Sequence, residues 1–251
     1  MMMSKEAISI NYLQETKTKY LSDNEYPYEA FVVGSDKQNN IGANIAKLLR
    51  KKLWTVTEFE KQNWSPFALA EHGNHLSTIV LANGYTHLDW IENQPDKEII
   101  ESVFVNLSVS MLAAKHFVQN TINNPWPKYI VFIGSMAYRS VLNGSAPYCA
   151  AKAGLAHFAR CIAYELAPKN YNVFCIHPSN TEGTPMTEKT IVDLQRYRNL
   201  TRDEAEQYWG HGLPRLNWLQ STDIAELVAF LVSGKADYLS GGNIDLTGGQ
   251  R

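Results

Sequence analysis

The chain has 251 residues, 45% of them hydrophobic and 19% charged, enough to bury a full core as a single α/β domain. Lysine and arginine number 23 against 25 aspartates and glutamates, a net charge of −2 that argues against a nucleic-acid or anionic-membrane surface and for a small-molecule partner. Cys149, Cys161 and Cys175 are odd in number and lack C-x-x-C spacing, which argues against a disulfide framework and a zinc site and fits a reducing, cytoplasmic setting. No apolar run approaches the ~18 residues of a membrane span, and "MMMSKEAISINYLQ" carries too short a run, with charges inside it, for a secretory signal.

Residues 1–28 are polar and mixed in charge, so an N-terminal extension is expected there, with one domain over residues 29–251. "EAFVVGS" is an apolar run stopping at glycine, and "NIGANIAKLLRKK" follows at helical spacing with Ile41, Ile45, Leu48 and Leu49 on one face. "LWTVTEF" alternates as a strand does, and "LSTIVLANG" has the form of a buried parallel strand. A long helix is expected around "KEIIESVFVNLSVSMLAAKHFVQNTI", then a strand at "KYIVFIGS" and a second long helix at "PYCAAKAGLAHFARCIAYELAPK". "YNVFCIHPS" reads as a strand, residues 182–217 as an irregular lid with short helices, "STDIAELVAFLVSG" as a helix and "GGNIDLTGG" as a last strand. Strands alternating with helices imply an α/β fold: one doubly wound parallel sheet of the Rossmann type, with helices on both faces.

The segment "VVGSDKQNNIG" joins a strand to a helix, the context in which backbone amides and a helix N-terminus hold a pyrophosphate. Gly34 would make the tight exit from the strand, Ser35, Asn40 and Ile41 would flank the phosphates, and Gly42 would allow close packing in the first helical turn. The G-x-G-x-x-G spacing is absent, and an ordinary strand-to-helix turn reads the same way. Glu58 stands roughly 20 residues on, where an acid binds a ribose 2′-hydroxyl and favours NAD over NADP; Glu60 is a rival, and Lys37 and Lys61 lie close by in sequence.

Tyr148 and Lys152 are one helical turn apart and address the same space. A free tyrosine titrates near 10, and a neighbouring ammonium stabilises the phenolate. That makes the pair a candidate proton donor and electrostatic partner, although Y-x-x-x-K also occurs by chance. Ser135 ends a strand thirteen residues earlier, placed to polarise the oxygen that Tyr148 protonates. Asn106 sits in mid-helix, where asparagine is a poor helix former and can bend the helix or bond a neighbouring carbonyl.

Together these residues resemble the short-chain dehydrogenase/reductase (SDR) family from about residue 29 to the end. Gly34 to Gly42 is similar to its glycine loop, Asn83-Gly84 to the end of its "NNAG" segment, and Asn106, Ser135, Tyr148 and Lys152 to its catalytic tetrad. Pro178 precedes Ser179 where the family has Pro-Gly, and "YLSGGNIDLTGG" resembles its terminal strand. The resemblance implies hydride transfer between NAD or NADP and a secondary alcohol or ketone. In it, Tyr148 is the general acid or base, Lys152 lowers its pKa and binds the nicotinamide ribose, and Asn106 supports a water-linked proton path. Thr181 and Thr184 compete for the threonine that holds the carboxamide. The resemblance also implies a homodimer or homotetramer, built on the Tyr148-bearing helix and the long helix before it.

The loop lacks the family's middle glycine, as in the enoyl-reductase branch, with Asn40 in the position of that branch's small residue. Three residues rather than six separate Tyr148 from Lys152, which favours a carbonyl or alcohol substrate. Only 25 positions separate Glu58 from Asn83, so Trp64 and Phe67 fall where adenine or core is covered. His72 and His75 have no third partner for a metal, and His177, ending a strand, reads as packed or hydrogen-bonded rather than catalytic. Trp209, His211 and Arg215 lie in the expected lid. A dinucleotide-binding protein without turnover, acting as a sensor or interaction partner, is the alternative reading; a sugar epimerase would need a larger C-terminal domain.

Overall fold

The computed structural model describes residues 29–35, 40–52, 54–59, 76–211 and 218–250. The expected N-terminal extension lies outside the described residues, as do Lys37, Glu60, Lys61, Trp64, Phe67, His72, His75 and Arg215.

The described strands are β1 (Glu29–Val33), β2 (Thr55–Phe59), β3 (Leu76–Leu81), β4 (Lys128–Ile133), β5 (Tyr171–Pro178) and β6 (Asn243–Leu246). They form one sheet in the order β2-β1-β3-β4-β5-β6, parallel throughout. Parallel strands need crossovers on the sheet faces, and the helices supply them: α1 (Ile41–Lys51), α2 (Asp96–Val103), α3 (Val109–Thr121), α4 (Ala146–Leu166), α5 (Pro185–Arg198), α6 (Arg202–Gly210) and α7 (Ser221–Leu231).

The inner strands β3, β4 and β5 are buried at every position because each of their sides meets a helix layer. In β1, Ala30 and Val32 join a core with Ile45 and Leu49 of α1 and Ile224 and Val228 of α7. Phe31 and Val33 point the other way, into a core with Ala113 and Phe117 of α3 and Leu155 and Ala159 of α4. The doubly wound sheet read from the sequence is therefore present, with α1 and α7 on one face and α3 and α4 on the other.

The chain leaves β1 toward β2, then returns to place β3 on the other side of β1. Where the winding reverses, the connections part and a crevice opens beyond the carboxyl ends of the strands. Gly34 turns the chain there at φ +88°, and a side-chain carbon on it would stand 2.7 Å from the Asn83 nitrogen. Gly42 is equally constrained: its added carbon would lie 2.6 Å from the Gly34 carbonyl oxygen. Both glycines serve the close approach of β1, α1 and β3.

The structure departs from the sequence reading at two elements. The single long helix expected before β4 is two helices joined by a π-helical turn, Phe104–Ser108, with Asn106 at its middle. The wider turn frees carbonyls, and buried asparagines take them: Asn106 Nδ2 donates to the Ser102 oxygen at 2.8 Å, and Asn83 Nδ2 donates to the Val105 oxygen. In the expected irregular lid, residues 185–198 form a regular 14-residue helix, α5. It is held by a small apolar cluster of Leu88, Ile191, Leu194 and Ala205 and by side-chain pairing: Arg196 pairs with Asp89, and Asp193 accepts the Leu88 N–H at 3.0 Å.

Candidate active site

Ser135, Tyr148 and Lys152 line one cavity of about 390 Å³ at the reversal point of the sheet. Ser135 is delivered by the end of β4, while Tyr148 and Lys152 occupy the first two turns of α4. Gly34, Asn40 and Ile41 form its opposite wall, Asn83 and Gly84 its floor, and Pro178, Thr181 and Thr184 its rim. Ser35, Gly42, Glu58 and Asn106 do not line the cavity; they stand behind it or beside it.

The Tyr148 phenol is pushed up to about 12 by burial, opposed by a hydrogen bond with Ser135. It is therefore a proton donor through the neutral range. Lys152 is buried, and its Nζ donates to the Ile133 oxygen at 3.0 Å and lies 5.7 Å from the Tyr148 ring centroid. Burial lowers its pKa to about 8. The sequence assigned the lowering of the tyrosine pKa to Lys152; in the structure Ser135 exerts it, because the ammonium is drawn to a main-chain carbonyl. An amine that is neutral more readily folded than unfolded adds stability as pH rises from about 8 toward 10.5, since the unfolded chain then binds the extra proton. Lys152→Met should accordingly lose activity, and its melting temperature relative to the parent should fall as pH is raised from 7 to 10. Parallel thermal melts across that range check the sign.

Asn106 holds the floor in place. Its Oδ1 accepts the Tyr85 N–H at 3.1 Å and its Nδ2 donates to the Tyr85 oxygen at 2.8 Å, so the amide grips both main-chain groups of one residue. Asn83 is tied in turn to Ser110 at 3.1 Å. The amide of Asn106 is thus committed to the segment after β3, and it acts here as a positioning residue.

At the opposite wall Asn40 caps α1, accepting the Ala43 N–H at 2.7 Å and donating to the Gly34 oxygen at 3.0 Å. The first turn of α1 contains no acidic residue, and the N–H groups of Ile41 and Gly42 have no partner among the described residues. A donor-rich helix terminus open to a cavity fits a pyrophosphate, so these residues suit a dinucleotide. Thr184 caps α5 by accepting the Thr187 N–H at 3.2 Å, while the Thr181 hydroxyl donates to the Ser179 oxygen at 3.1 Å; both remain on the cavity rim. Glu58 pairs with Arg50 of α1, which also donates to the Val56 oxygen at 2.8 Å.

Some lining residues carry no motif. Ser145 and Asn180 reach the cavity from loops, and Met186 packs over Gly84 from the start of α5. Trp209, read from the sequence as part of the lid, lines the cavity; Ser145 and Asn180 had no periodicity or spacing to reveal them. His177 is packed, as read: it is fully buried behind Ser135.

A family model described as enoyl-(acyl carrier protein) reductase matches residues 56–251. The chain is a short-chain dehydrogenase/reductase. The 3-oxoacyl-[acyl-carrier-protein] reductase of Rickettsia conorii is 27% identical over 181 residues, covering 72% of this chain and 70% of its own. Among solved structures, sorbitol-6-phosphate 2-dehydrogenase from Erwinia amylovora is similar with a TM-score of 0.80 at 20% identity, over 88% of this chain and 99% of that one. Actinorhodin polyketide ketoreductase with NADPH is similar with a TM-score of 0.76 at 20% identity, over 88% and 96%. As an SDR this chain is an NAD(P)-dependent oxidoreductase that transfers hydride between a nicotinamide cofactor and a ketone or alcohol. Among the described residues, no helix is long and apolar enough to cross a membrane.

Proposed function

We propose that this SDR works mainly as a ketone reductase. The observation that carries the reading is Tyr148 hydrogen-bonded beside Ser135 in a cavity whose far wall is the start of α1. The nicotinamide, when bound, supplies the hydride. The protein's part is to seat the ketone oxygen against the Ser135 hydroxyl and to deliver the Tyr148 proton to it as the carbonyl carbon is reduced. The resulting phenolate is stabilised by its hydrogen bond with Ser135 and reprotonated from water. Alcohol oxidation needs the phenolate first, and burial of Tyr148 opposes that. With the three groups gathered in one cleft, the reading without turnover has no observation in its favour. The enoyl description of the matching family agrees with the loop around Asn40, but the spacing of Tyr148 and Lys152 supports a carbonyl substrate.

The test is turnover of a ketone panel, including a 3-oxoacyl thioester and a keto-sugar phosphate, with NADH and with NADPH. No turnover on any ketone, despite tight cofactor binding, would reject the reading.

NAD is the cofactor that Glu58 supports. Arg50 engages one of its carboxylate oxygens and leaves the other without a bond among the described residues, open to a ribose 2′-hydroxyl. Glu58→Ala should erode the preference for NADH over NADPH by roughly tenfold, the scale of one lost charged hydrogen bond. Fluorescence titration with both cofactors measures it, and an unchanged ratio removes Glu58 as the determinant.

Self-association is also part of the proposal. Ile100 is 68% exposed, Phe104 50% and Tyr164 87%, along α2, the π-helical turn and α4. Apolar residues in such numbers on neighbouring helices suit a two-fold partner, hence a homodimer or homotetramer. A monomer in sedimentation would reject this part.

A further inference from the structure

We infer that His177 is a positioning residue for the reaction, setting the backbone of Ser135 from behind and acting with Asn243. The inference rests on the reading of the cavity as a ketone-reducing site.

The geometry is specific. Ser135 N–H donates to His177 Nδ1 at 3.3 Å, and the same nitrogen stands 3.1 Å from the Ser135 oxygen, so the ring faces both main-chain groups of the serine. Its other nitrogen, Nε2, lies 3.0 Å from Asn243 Oδ1 on β6. In the proposed arrangement the proton sits on Nε2 and is donated to the Asn243 oxygen, which leaves the Nδ1 lone pair to accept from Ser135. The ring plane is fixed as well. Tyr138 stacks on it at 3.8 Å, and on the other side Gly134 leaves room that a side chain would fill, since an added carbon would stand 2.5 Å from Nδ1. His177 is fully buried, so no water competes for these bonds.

This matters for chemistry because the Ser135 oxygen already accepts the Tyr138 N–H at 3.0 Å, while among the described residues the serine's own N–H bonds only the His177 ring. Ser135 leaves β4 in an extended conformation, φ −169° and ψ 153°, and its Oγ accepts the Ala137 N–H at 3.2 Å to start the next turn. A rotation of its peptide would swing the hydroxyl away from Tyr148. The strand end is anchored one residue earlier, by Gly134 N–H to the Ile176 oxygen at 2.7 Å; His177 carries that anchoring onto the serine itself.

A double-mutant cycle separates this role from plain packing. His177→Leu should lower kcat about 10–100-fold, the scale of a misplaced reacting group, with the cofactor Kd unchanged. In a Ser135→Ala background the same substitution should cost less than about twofold, because the group it positions is gone. His177→Asn restores an acceptor at the place of Nδ1 and should recover most of the kcat. Equal losses in both backgrounds, or no recovery with asparagine, would overturn the inference.

Should His177→Leu fail to fold, Asn243→Ala frees Nε2 while keeping the ring, and the same non-additivity with Ser135→Ala is expected. Histidine-ring NMR of the protein gives a readout independent of turnover. The Nε2–H tautomer should be present, and Asn243→Ala should displace both it and the Ser135 amide resonance. The opposite tautomer, or an unmoved Ser135 amide, would overturn the inference even if the ketone panel had shown no turnover.

Discussion

Tyr148→Phe lowers kcat for ketone reduction by about 10²–10⁴-fold, the range that one positioned proton donor contributes, and leaves cofactor affinity and the melting temperature close to those of the parent. The reason for so clean a separation is the environment of the hydroxyl. Burial holds the phenol at about 12, and its hydrogen bond with Ser135 is local to the cavity. Removing the oxygen therefore takes away the proton without disturbing either core. Steady-state kinetics with a substrate from the ketone panel, beside a cofactor titration and a thermal melt, checks all three parts. A phenylalanine variant retaining more than about a tenth of the parent kcat would place the proton donor elsewhere.

Gly34→Ala carries the second large effect, this time on the fold. The residue sits at φ +88°, and its added carbon would meet the Asn83 nitrogen at 2.7 Å and the Ala82 carbonyl carbon at 2.8 Å. These are backbone atoms, fixed by Ala82 N–H to the Val33 oxygen at 2.9 Å and by Gly34 N–H to the Phe59 oxygen at 2.8 Å. Strain and overpacking together should cost roughly 2–4 kcal/mol. For a chain of this size that is a fall of about 5–15 °C in melting temperature. Asn83 would be displaced along with its bonds to the π-helical turn, so activity should fall with stability. Gly183→Ala is the control: φ is +65° there, but nothing lies within 4 Å of the added carbon. It should cost only about 1–2 kcal/mol, the price of the backbone conformation. Equal melting temperatures for the two variants would show that the clash at Gly34 is relieved.

The sequence by itself determined the order of strands along the chain, because a strand covered on both faces is dominated by apolar residues. "EAFVV", "STIVL" and "YIVFI" could form little else between glycines and helices. It also determined the reacting pair: Tyr148 and Lys152 share a helix, and a helix of known pitch places residues four apart without help from the rest of the fold.

Tertiary structure decided what depends on partners distant in sequence. The π-helical turn at Asn106 exists because the amides of Asn83 and Asn106 donate to the Val105 and Ser102 carbonyls, and neither bond leaves a mark in helical periodicity. The regularity of α5 was invisible for a similar reason, since Asp89, Asp193 and Arg196 tie it to the segment after β3 alongside a small apolar cluster of Leu88, Ile191, Leu194 and Ala205. The electrostatics were likewise settled only on folding. Of two residues that adjacency would pair as cation and phenolate, the lysine bonds the Ile133 oxygen, and Ser135 moderates the tyrosine. His177, one strand away from that serine and 42 positions later in the chain, could be read from sequence as packed; only the sheet brings its ring nitrogen to the serine's N–H.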